Sequence, residues 1–428
     1  MAEVEKQDGT VENYGWRVTF AGLGINLALG ILYTWSVISG GVPESWGWNQ
    51  QAKSLPYAVA CLVFCLVMVP AGRMQDRMGP RLTAMIGGVL VGLGMILSSF
   101  TQSVAGYILG FGLLAGAGIG FGYASATPPA VKWFPKAKTG LIAGLVVSGF
   151  GLASVYAAPL SQKLIESVGL SWTVRILGIA FFVVVVGLAA LLKPPPKGYT
   201  PVGEIAPAGG GAGKKEDFSA GEMLRTWQFY VIWFMYACGA GAGLMIISVL
   251  KKIVKMQGTF TAFQATIVVS VLAVGNGAGR IIAGVASDKL GRKATMFGCF
   301  VLQAGMLCLL AMAREGNVLT TLVALGFLSA LIGANYGANL SLFPSITKDF
   351  YGLKNFGVNY GLVFTAWGVG GFMLSQWAGR MYDRTQSFNV AYYGAAALLV
   401  LAAVLTFCVR APSVVHESGD SAVEPTEA

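Results

Sequence analysis

One arginine, Arg280, stands alone inside a long apolar stretch of the chain, where its charge is suited to holding an anion. The guanidinium group is planar and permanently charged, and it binds a carboxylate through two parallel hydrogen bonds. Asp288 ends the same stretch, so in a helix Arg280 would lie eight residues, about 12 Å, deeper. A cation at that depth in hydrocarbon costs at least about 2.5–3.5 kcal/mol, so it normally faces a partner charge or a water-filled cavity.

The sequence offers no acidic residue at a comparable depth to neutralise Arg280. The acidic residues nearest to the apolar stretches all fall close to an end of one: Glu44, Asp76, Glu166, Asp288, Glu315, Asp349 and Asp383. We therefore expect a bound anion to supply the counter-charge, which makes Arg280 a candidate substrate anchor. The alternative is a guanidinium that bonds helix-end carbonyls or extends toward the headgroups.

Several other side chains could complete a site around Arg280. Asn276 lies one helical turn before it on the same face, and it could contact a ligand or serve only in packing. Phe364 and Trp367, one turn apart, could form an apolar wall or pack in an ordinary way. Four polar residues are candidate hydrogen-bond donors to a ligand, with a structural role as the alternative: Tyr33, Tyr123, Asn335 and Tyr336, to which Asn26 and Asn339 are added as further cases.

Composition identifies the elements that must hold these residues. Of the 428 residues, 55% are hydrophobic and only 11% are charged, against roughly 25% charged in an average soluble domain. Such a chain cannot cover a soluble surface, so we expect a polytopic membrane protein. This excludes a secreted disulfide scaffold, a disordered chain, a nucleic-acid binder and most soluble enzymes. The net charge of +10 is interpreted as basic loop residues that fix topology.

Twelve apolar segments are each long enough to cross a bilayer as a helix. They are residues 16–42, 54–72, 82–100, 105–128, 139–164, 172–192, 227–250, 260–286, 295–313, 318–346, 357–379 and 388–409. We predict an all-α polytopic membrane protein with twelve transmembrane helices in two six-helix bundles. The polar, proline- and glycine-rich segment between them predicts a linker. The predicted divisions are an N-terminal bundle (1–192), a cytoplasmic linker (193–225), a C-terminal bundle (226–410) and a cytoplasmic tail (411–428).

The basic residues predict the orientation of this bundle pair. An even number of spans places both termini on one side, and that side then holds 19 of the 29 Lys and Arg. We assign it as cytoplasmic, with both termini inside. The first apolar run is too long for a signal peptide, so an uncleaved anchor is expected. The basic segment 251–255, on the outer side, is expected to anchor at the interface, with attraction of anions as the alternative.

The two halves share a ten-residue pattern. Residues 72–81 and 284–293 both read G-x-x-x-D-[RK]-x-G-x-[RK], and they are 212 residues apart in equivalent loops. Glycine allows close helix contact, while the aspartate can pair with a base or cap a helix. We interpret the acid–base pairs of both copies as a cytoplasmic gating latch and not as a substrate site: Asp76, Arg77, Asp288 and Lys289.

Twelve spans, the division into six and six, and the duplicated loop pattern resemble the major facilitator superfamily of secondary transporters. Two further segments look like monocarboxylate transporters and the related oxalate/formate exchangers: KWFPK at 132–136, continuing to LIAGLVVSG at 141–149, and GNGAGR at 275–280. In those families the matching arginine holds the substrate carboxylate. The resemblance therefore implies carboxylate transport by alternating access, and it implies that a monomer suffices.

Two departures from those families bear on the substrate and on coupling. Many monocarboxylate transporters carry Asp, linked to proton coupling, where this chain has Asn276. The segment NYGLVFTAWG at 359–368 resembles the oxalate/formate exchangers, which carry Lys where this chain has Trp367. One membrane cation suits a monoanion, because an unmatched charge in a low-dielectric cavity costs several kcal/mol.

The sequence thus predicts a secondary transporter of small monocarboxylates, similar to lactate, pyruvate or acetate, with proton symport, in the cell (inner) membrane. Carboxylate anion exchange of the oxalate/formate type is the first alternative, and a carboxylate receptor is a second. An enzyme is not expected, since no catalytic or metal-ligand cluster falls in the spans. The one histidine, His416, lies in the polar tail, so we expect no metal site or cofactor. The expected partners are the carboxylate, H⁺ and the lipid bilayer, without nucleic acid.

Overall fold

The computed structural model describes residues 13–135, 138–196, 199, 201, 217–313, 317–352 and 355–412. The tail from 413 onward, with His416, lies outside the described residues, as does most of the predicted linker. Within the described part of the chain the secondary structure is helical, with no strand.

The long helices are numbered α1 to α12 in chain order. They are α1 Gly15–Gly40, α2 Gln50–Met78, α3 Pro80–Ser98, α4 Val104–Val131, α5 and α6 within Thr139–Ala189, α7 Trp227–Gln257, α8 Ala262–Leu290, α9 Arg292–Met312, α10 Leu322–Tyr351, α11 Phe356–Thr385 and α12 Asn389–Cys408. Helices α5 and α6 meet at Gly169, whose φ of +79° breaks the helix. Ten helical stretches in the described residues, α5 and α6 counted together, are long and apolar enough to cross a membrane. Dividing that pair, and adding the 30-residue α11, gives the predicted all-helical polytopic fold, which is confirmed.

Helix α1 is not continuous. A 3₁₀ turn at Gly30–Thr34 interrupts it, and the chain resumes as helix at Trp35. The turn lies at a close contact between α1 and α5, since a methyl group added at Gly30 would overlap the side chain of Ala153. The absence of a side chain at Gly30 therefore lets the two helices approach closely.

Close packing of α8 on α10 fixes the helix that carries Arg280. A methyl group at Gly275 or Gly279 of α8 would overlap the carbonyl oxygen of Ala330 or Ala334 of α10. Small residues at such positions let two backbones come together in a membrane, where van der Waals packing drives helix association. Ser341 of α10 adds a hydrogen bond of 2.7 Å from its hydroxyl to the Arg280 carbonyl oxygen.

The two halves, α1–α6 and α7–α12, meet mainly where α2 contacts α11 and where α5 contacts α8. We call the side where α6 ends and α7 begins the linker face, and the opposite side the far face. The described residues form these hydrogen bonds between the halves: Tyr33–Tyr336, Gln50–Asp383, Gln51–Asp383, Gln50–Lys252, Tyr57–Leu244, Cys65–Thr365, Gln162–Lys251, Gln162–Thr266, Ser154–Ser270 and Val147–Arg280. By helical position none lies nearer to the linker face than the Val147–Arg280 bond. Hydrogen bonds thus seal the far face.

Candidate substrate site

Arg280 lies at the interface between the two halves and is only 8% exposed. Its Nη1 donates a hydrogen bond of 2.8 Å to the carbonyl oxygen of Val147 on α5. Its Nε lies 3.3 Å from Oδ1 of Asn276, one turn earlier on α8. The guanidinium rests against Gly151, where an added methyl carbon would lie 3.3 Å from Cζ. Glycine at 151 therefore gives the charged group room beside the α5 backbone.

No acidic side chain neutralises Arg280 within the described part of the chain. The ion pairs formed there between described residues involve a different arginine, Arg292. The Nη2 atom of Arg280 makes no hydrogen bond with a described residue. The alternative to a substrate anchor was a guanidinium that bonds carbonyl oxygens. One such bond is present, to Val147, and it uses Nη1 alone. Nη2 and the positive charge of Arg280 are therefore left without a partner among the described residues.

A narrow cavity adjoins the guanidinium, and in this conformation its walls pack so closely that it has no room for a water molecule. It is lined by Tyr33, Phe64, Tyr123, Phe150, Arg280, Leu340, Phe364 and Trp367. These residues come from both halves, so the cavity lies between the two bundles. Five of the eight were predicted as site residues from the sequence. Phe64, Phe150 and Leu340 were not, because nothing in sequence distinguishes them from other apolar residues of the spans.

Aromatic rings form the walls of the cavity. Phe364 and Trp367 of α11 stack with their centroids 5.3 Å apart and an interplanar angle of 9°. The ring of Phe64 on α2 meets Trp367 edge-on at 5.1 Å. Tyr123 lies parallel to Phe364 at 6.5 Å and meets Phe150 edge-on at 5.4 Å. Such walls offer apolar contact to a carbon chain, and within the described residues they carry the single charge of Arg280.

Tyr33 and Tyr336 join the halves on the far-face side of the cavity. Their hydroxyl oxygens are 2.5 Å apart, and Nε1 of Trp367 donates to the Tyr336 hydroxyl at 2.8 Å. Tyr336 lies 15 residues and Arg280 10 residues from the linker-face end of its helix, so Tyr336 is about 7 Å farther along by helical rise. The tyrosine pair therefore separates the cavity from the far face.

The asparagine candidates do not line the cavity. Asn335 and Asn339 donate through Nδ2 to carbonyl oxygens of their own helix, those of Leu331 and Asn335, each at 2.9 Å. Asn26 donates to the Val146 carbonyl oxygen at 2.9 Å and so ties α1 to α5. Asn276 contacts Arg280, and its Nδ2 is buried without a partner among the described residues. Its geometry is that of a group that orients the guanidinium.

The duplicated loops lie far from the cavity, on the linker face. Asp288 pairs with Arg292 at 2.7 Å, and Arg292 also pairs with Asp349 of α10 at 3.1 Å. Lys289 is exposed. Arg292 was not predicted from the sequence, because it stands at a variable position of the repeated pattern, where the first copy has Pro80. In the other copy, Asp76 and Arg77 are exposed and form no ion pair with a described residue.

Comparison with known proteins identifies a family model and several relatives that this chain resembles. The model of the Major Facilitator Superfamily matches residues 27–258 and 232–427. An uncharacterized MFS-type transporter, YhjX, of Escherichia coli is 29% identical over 83% of this chain and 85% of its own. The oxalate:formate antiporter of Oxalobacter formigenes is 28% identical over 84% of this chain and 82% of its own. Monocarboxylate transporter 11 of Mus musculus is 26% identical over 89% and 83%.

One solved structure has the same fold. It is a bacterial homolog of the human lysosomal transporter Spinster, described as inward-facing and unoccupied. The TM-score is 0.62 over 93% of this chain and 96% of that one, with 15% sequence identity. At that identity the likeness concerns the fold alone.

Proposed function

This chain belongs to the Major Facilitator Superfamily, a family of membrane transporters, and we propose that it carries small monocarboxylates such as lactate, pyruvate or acetate. The observation that carries the proposal is the buried guanidinium of Arg280, which lies beside closely packed aromatic rings between the halves without an acidic partner among the described residues. The rings would have to separate to admit a substrate. A carboxylate would complete its hydrogen bonds and neutralise its charge. Relatives named as monocarboxylate transporters and as an oxalate:formate antiporter support a carboxylate substrate.

The site favours one carboxylate over two. A dianion would bring a second negative charge against the rings of Phe364, Trp367 and Phe64, where no further cation among the described residues meets it. An uncompensated charge in such surroundings costs several kcal/mol. The same rings suit the methyl group or short chain of a small monocarboxylate, because apolar burial contributes about 25 cal/mol per Å².

Alternating access requires the seal on the far face to open while the linker face closes. The two halves would rock about Arg280, and the Tyr33–Tyr336 bond would break and re-form in each cycle. We propose that the linker face is cytoplasmic, because the topology predicted from the sequence assigns 19 of the 29 basic residues to that side. The chain would act as a monomer in the cell membrane, since one cavity holds the whole site.

Coupling is proposed as symport with a proton, which would make transport electroneutral for a monocarboxylate. Exchange of one carboxylate for another is the second candidate, and a specific observation favours it. The cavity has no carboxyl group among its described lining residues, and Asn276 cannot take up a proton. In an exchanger the empty site would not reorient readily with a bare guanidinium, and a bound anion would relieve this.

Uptake into proteoliposomes tests both parts of the proposal. We expect labelled pyruvate or lactate to enter, unlabelled monocarboxylates to compete, and oxalate to compete at least tenfold more weakly. Symport predicts that an inward proton gradient drives accumulation in vesicles that contain no carboxylate. Exchange predicts uptake only after preloading with carboxylate, whatever the gradient. Equal competition by oxalate and acetate would contradict the monocarboxylate assignment.

A further inference from the structure

Two adjacent lysines near the far-face end of α7 form hydrogen bonds with two different helices of the N-terminal half, α5 and α2. Lys251 donates from Nζ to Oε1 of Gln162 on α5, and Lys252 donates from Nζ to Oε1 of Gln50 on α2 at 2.9 Å. Neighbouring residues of a helix point about 100° apart, so the two lysines reach in different directions and join α7 to both α2 and α5. Both bonds belong to the far-face seal, and both acceptors are neutral amides.

The two lysines differ in how far their charge is removed from water. Lys252 is partly exposed and lies 3.6 Å from the centroid of the Tyr382 ring, which stabilises a cation. Lys251 is only 4% exposed and forms no ion pair with a described residue. An ammonium group has three donors, and the Gln162 amide occupies one of them. Gln162 in turn donates from Nε2 to Glu166 at 2.5 Å, so the nearest acid is held one amide away.

A buried cation that lacks a direct acid partner is costly, and in a membrane protein it marks a functional position. The amide of Gln162 is a weaker partner than an anion, because it carries no charge that could compensate the ammonium group. When the far face opens, the bond between α5 and α7 must break, and the ammonium group then meets the medium. A carboxylate arriving there would bind in place of the amide.

Lys251 is distinct from the Arg280 site. It lies six residues before the far-face end of α7, so about 9 Å below that end by helical rise. Arg280 lies 18 residues after the far-face start of α8, so about 27 Å below it. The two cations are therefore separated by roughly 18 Å along the direction of transport, with the Tyr33–Tyr336 pair between them.

We infer that Lys251 is an outer capture site for the carboxylate substrate, used when the far face is open. Gln162 takes the place of the substrate carboxylate when that face closes, so the same ammonium group serves both the seal and the capture. Capture precedes transfer to Arg280 and raises the local concentration of anions at the mouth of the pathway. The inference rests on the proposed function, because it takes the carboxylate as the transported species.

The test is the sidedness of transport kinetics in right-side-out and inverted membrane vesicles with labelled pyruvate. Lys251→Met should raise the KM for transport from the far face at least fivefold and leave the KM from the linker face within twofold. Gln162→Ala frees the ammonium group, so it should lower the far-face KM several-fold. Lys251→Arg keeps the charge and should stay within threefold of wild type on both faces.

A purely structural role predicts a different pattern. If the bond only seals the far face, Lys251→Met and Gln162→Ala both loosen it and shift the far-face KM in the same direction, which would overturn the capture site. Lys255→Met is the matched control, since it removes an exposed positive charge one turn farther along α7 and should leave both KM values unchanged. A change equal to that of Lys251→Met would reduce the effect to general surface charge, which also overturns the inference.

Three further outcomes are decisive. If Lys251→Met does not reach the membrane, Gln162→Ala decides alone: a lower far-face KM supports capture, and an unchanged or higher KM overturns it. If wild-type vesicles take up no carboxylate from either face, the proposed function fails and the capture site fails with it. A wild-type protein that transports while the variants behave alike leaves the proposed function intact and removes only this inference.

Discussion

Helices α2 and α8 occupy equivalent places in the two halves, but their chemistry differs. Both have 29 residues and end in the repeated pattern 212 residues apart. The glycines that follow them, Gly79 and Gly291, have nearly the same conformation, with φ of +88° and +89°. Yet α2 has Met68 where α8 has Arg280. One repeated fold therefore supplies an apolar wall from one half and a cation from the other.

The same offset explains two further differences. Phe64, which closes the cavity from α2, stands at the position of Asn276, which contacts Arg280 from α8. After the helices, α3 begins with Pro80, and α9 begins at the equivalent position with Arg292. The backbone is repeated because close packing and the glycine turns require it. The side chains are not repeated, because a monoanion needs one cation and more than one would leave a charge uncompensated.

The largest expected effect comes from making the two helices alike at the site. Arg280→Met gives α8 the residue that α2 has at this position, and it removes every charge-assisted bond to the substrate. Each such bond contributes about 1.5–3 kcal/mol, so uptake should fall at least about 100-fold. Initial rates in proteoliposomes would measure it, with the amount of reconstituted protein and its helical circular dichroism held equal.

Arg380→Ala is the control for Arg280→Met. Arg380 lies exposed near the far-face end of α11, so its removal takes away one positive charge without touching the cavity. We expect near wild-type uptake from it. Substantial uptake by Arg280→Met would show that the anion is bound elsewhere, and the contrast between α2 and α8 would then have no bearing on transport.

A smaller effect is expected from the α2 side of the same pair of positions. Phe64→Ala removes a ring that lines the cavity and is 1% exposed. Full burial of such a side chain contributes about 1.5–3 kcal/mol, so the KM for pyruvate should rise roughly tenfold. The added space should improve the relative uptake of longer monocarboxylates, measured as the ratio of kcat/KM for a five-carbon acid and pyruvate. Phe20→Ala, at an exposed apolar residue of α1, is the control, and an unchanged ratio in Phe64→Ala would contradict the wall.

How much of this could be predicted from the sequence depends on how each feature is encoded. Hydropathy predicts the helices, and the composition of the polar segment predicts the linker between the halves. Arg280 is conspicuous in the sequence because a charge in an apolar stretch is rare. The role of Phe64 could not be predicted, since 24 phenylalanines share its signal and only the packing of α2 against α11 brings it to the cavity. The burial of Lys251 was likewise hidden, because its position near a helix end is typical of an interfacial anchor.

The smallest expected effect concerns the two aspartates of the repeated pattern. Asp288 forms an ion pair with Arg292, which also holds Asp349 of α10, whereas Asp76 is exposed and has no ion pair among the described residues. Exposed ion pairs contribute about 0–1 kcal/mol, so Asp288→Asn should lower the Tm in detergent by about 2 °C. Asp76→Asn, the matched change in the other half, should leave the Tm unchanged. Equal shifts in the two variants would mean that the ion pair with Arg292 does not distinguish Asp288 from Asp76.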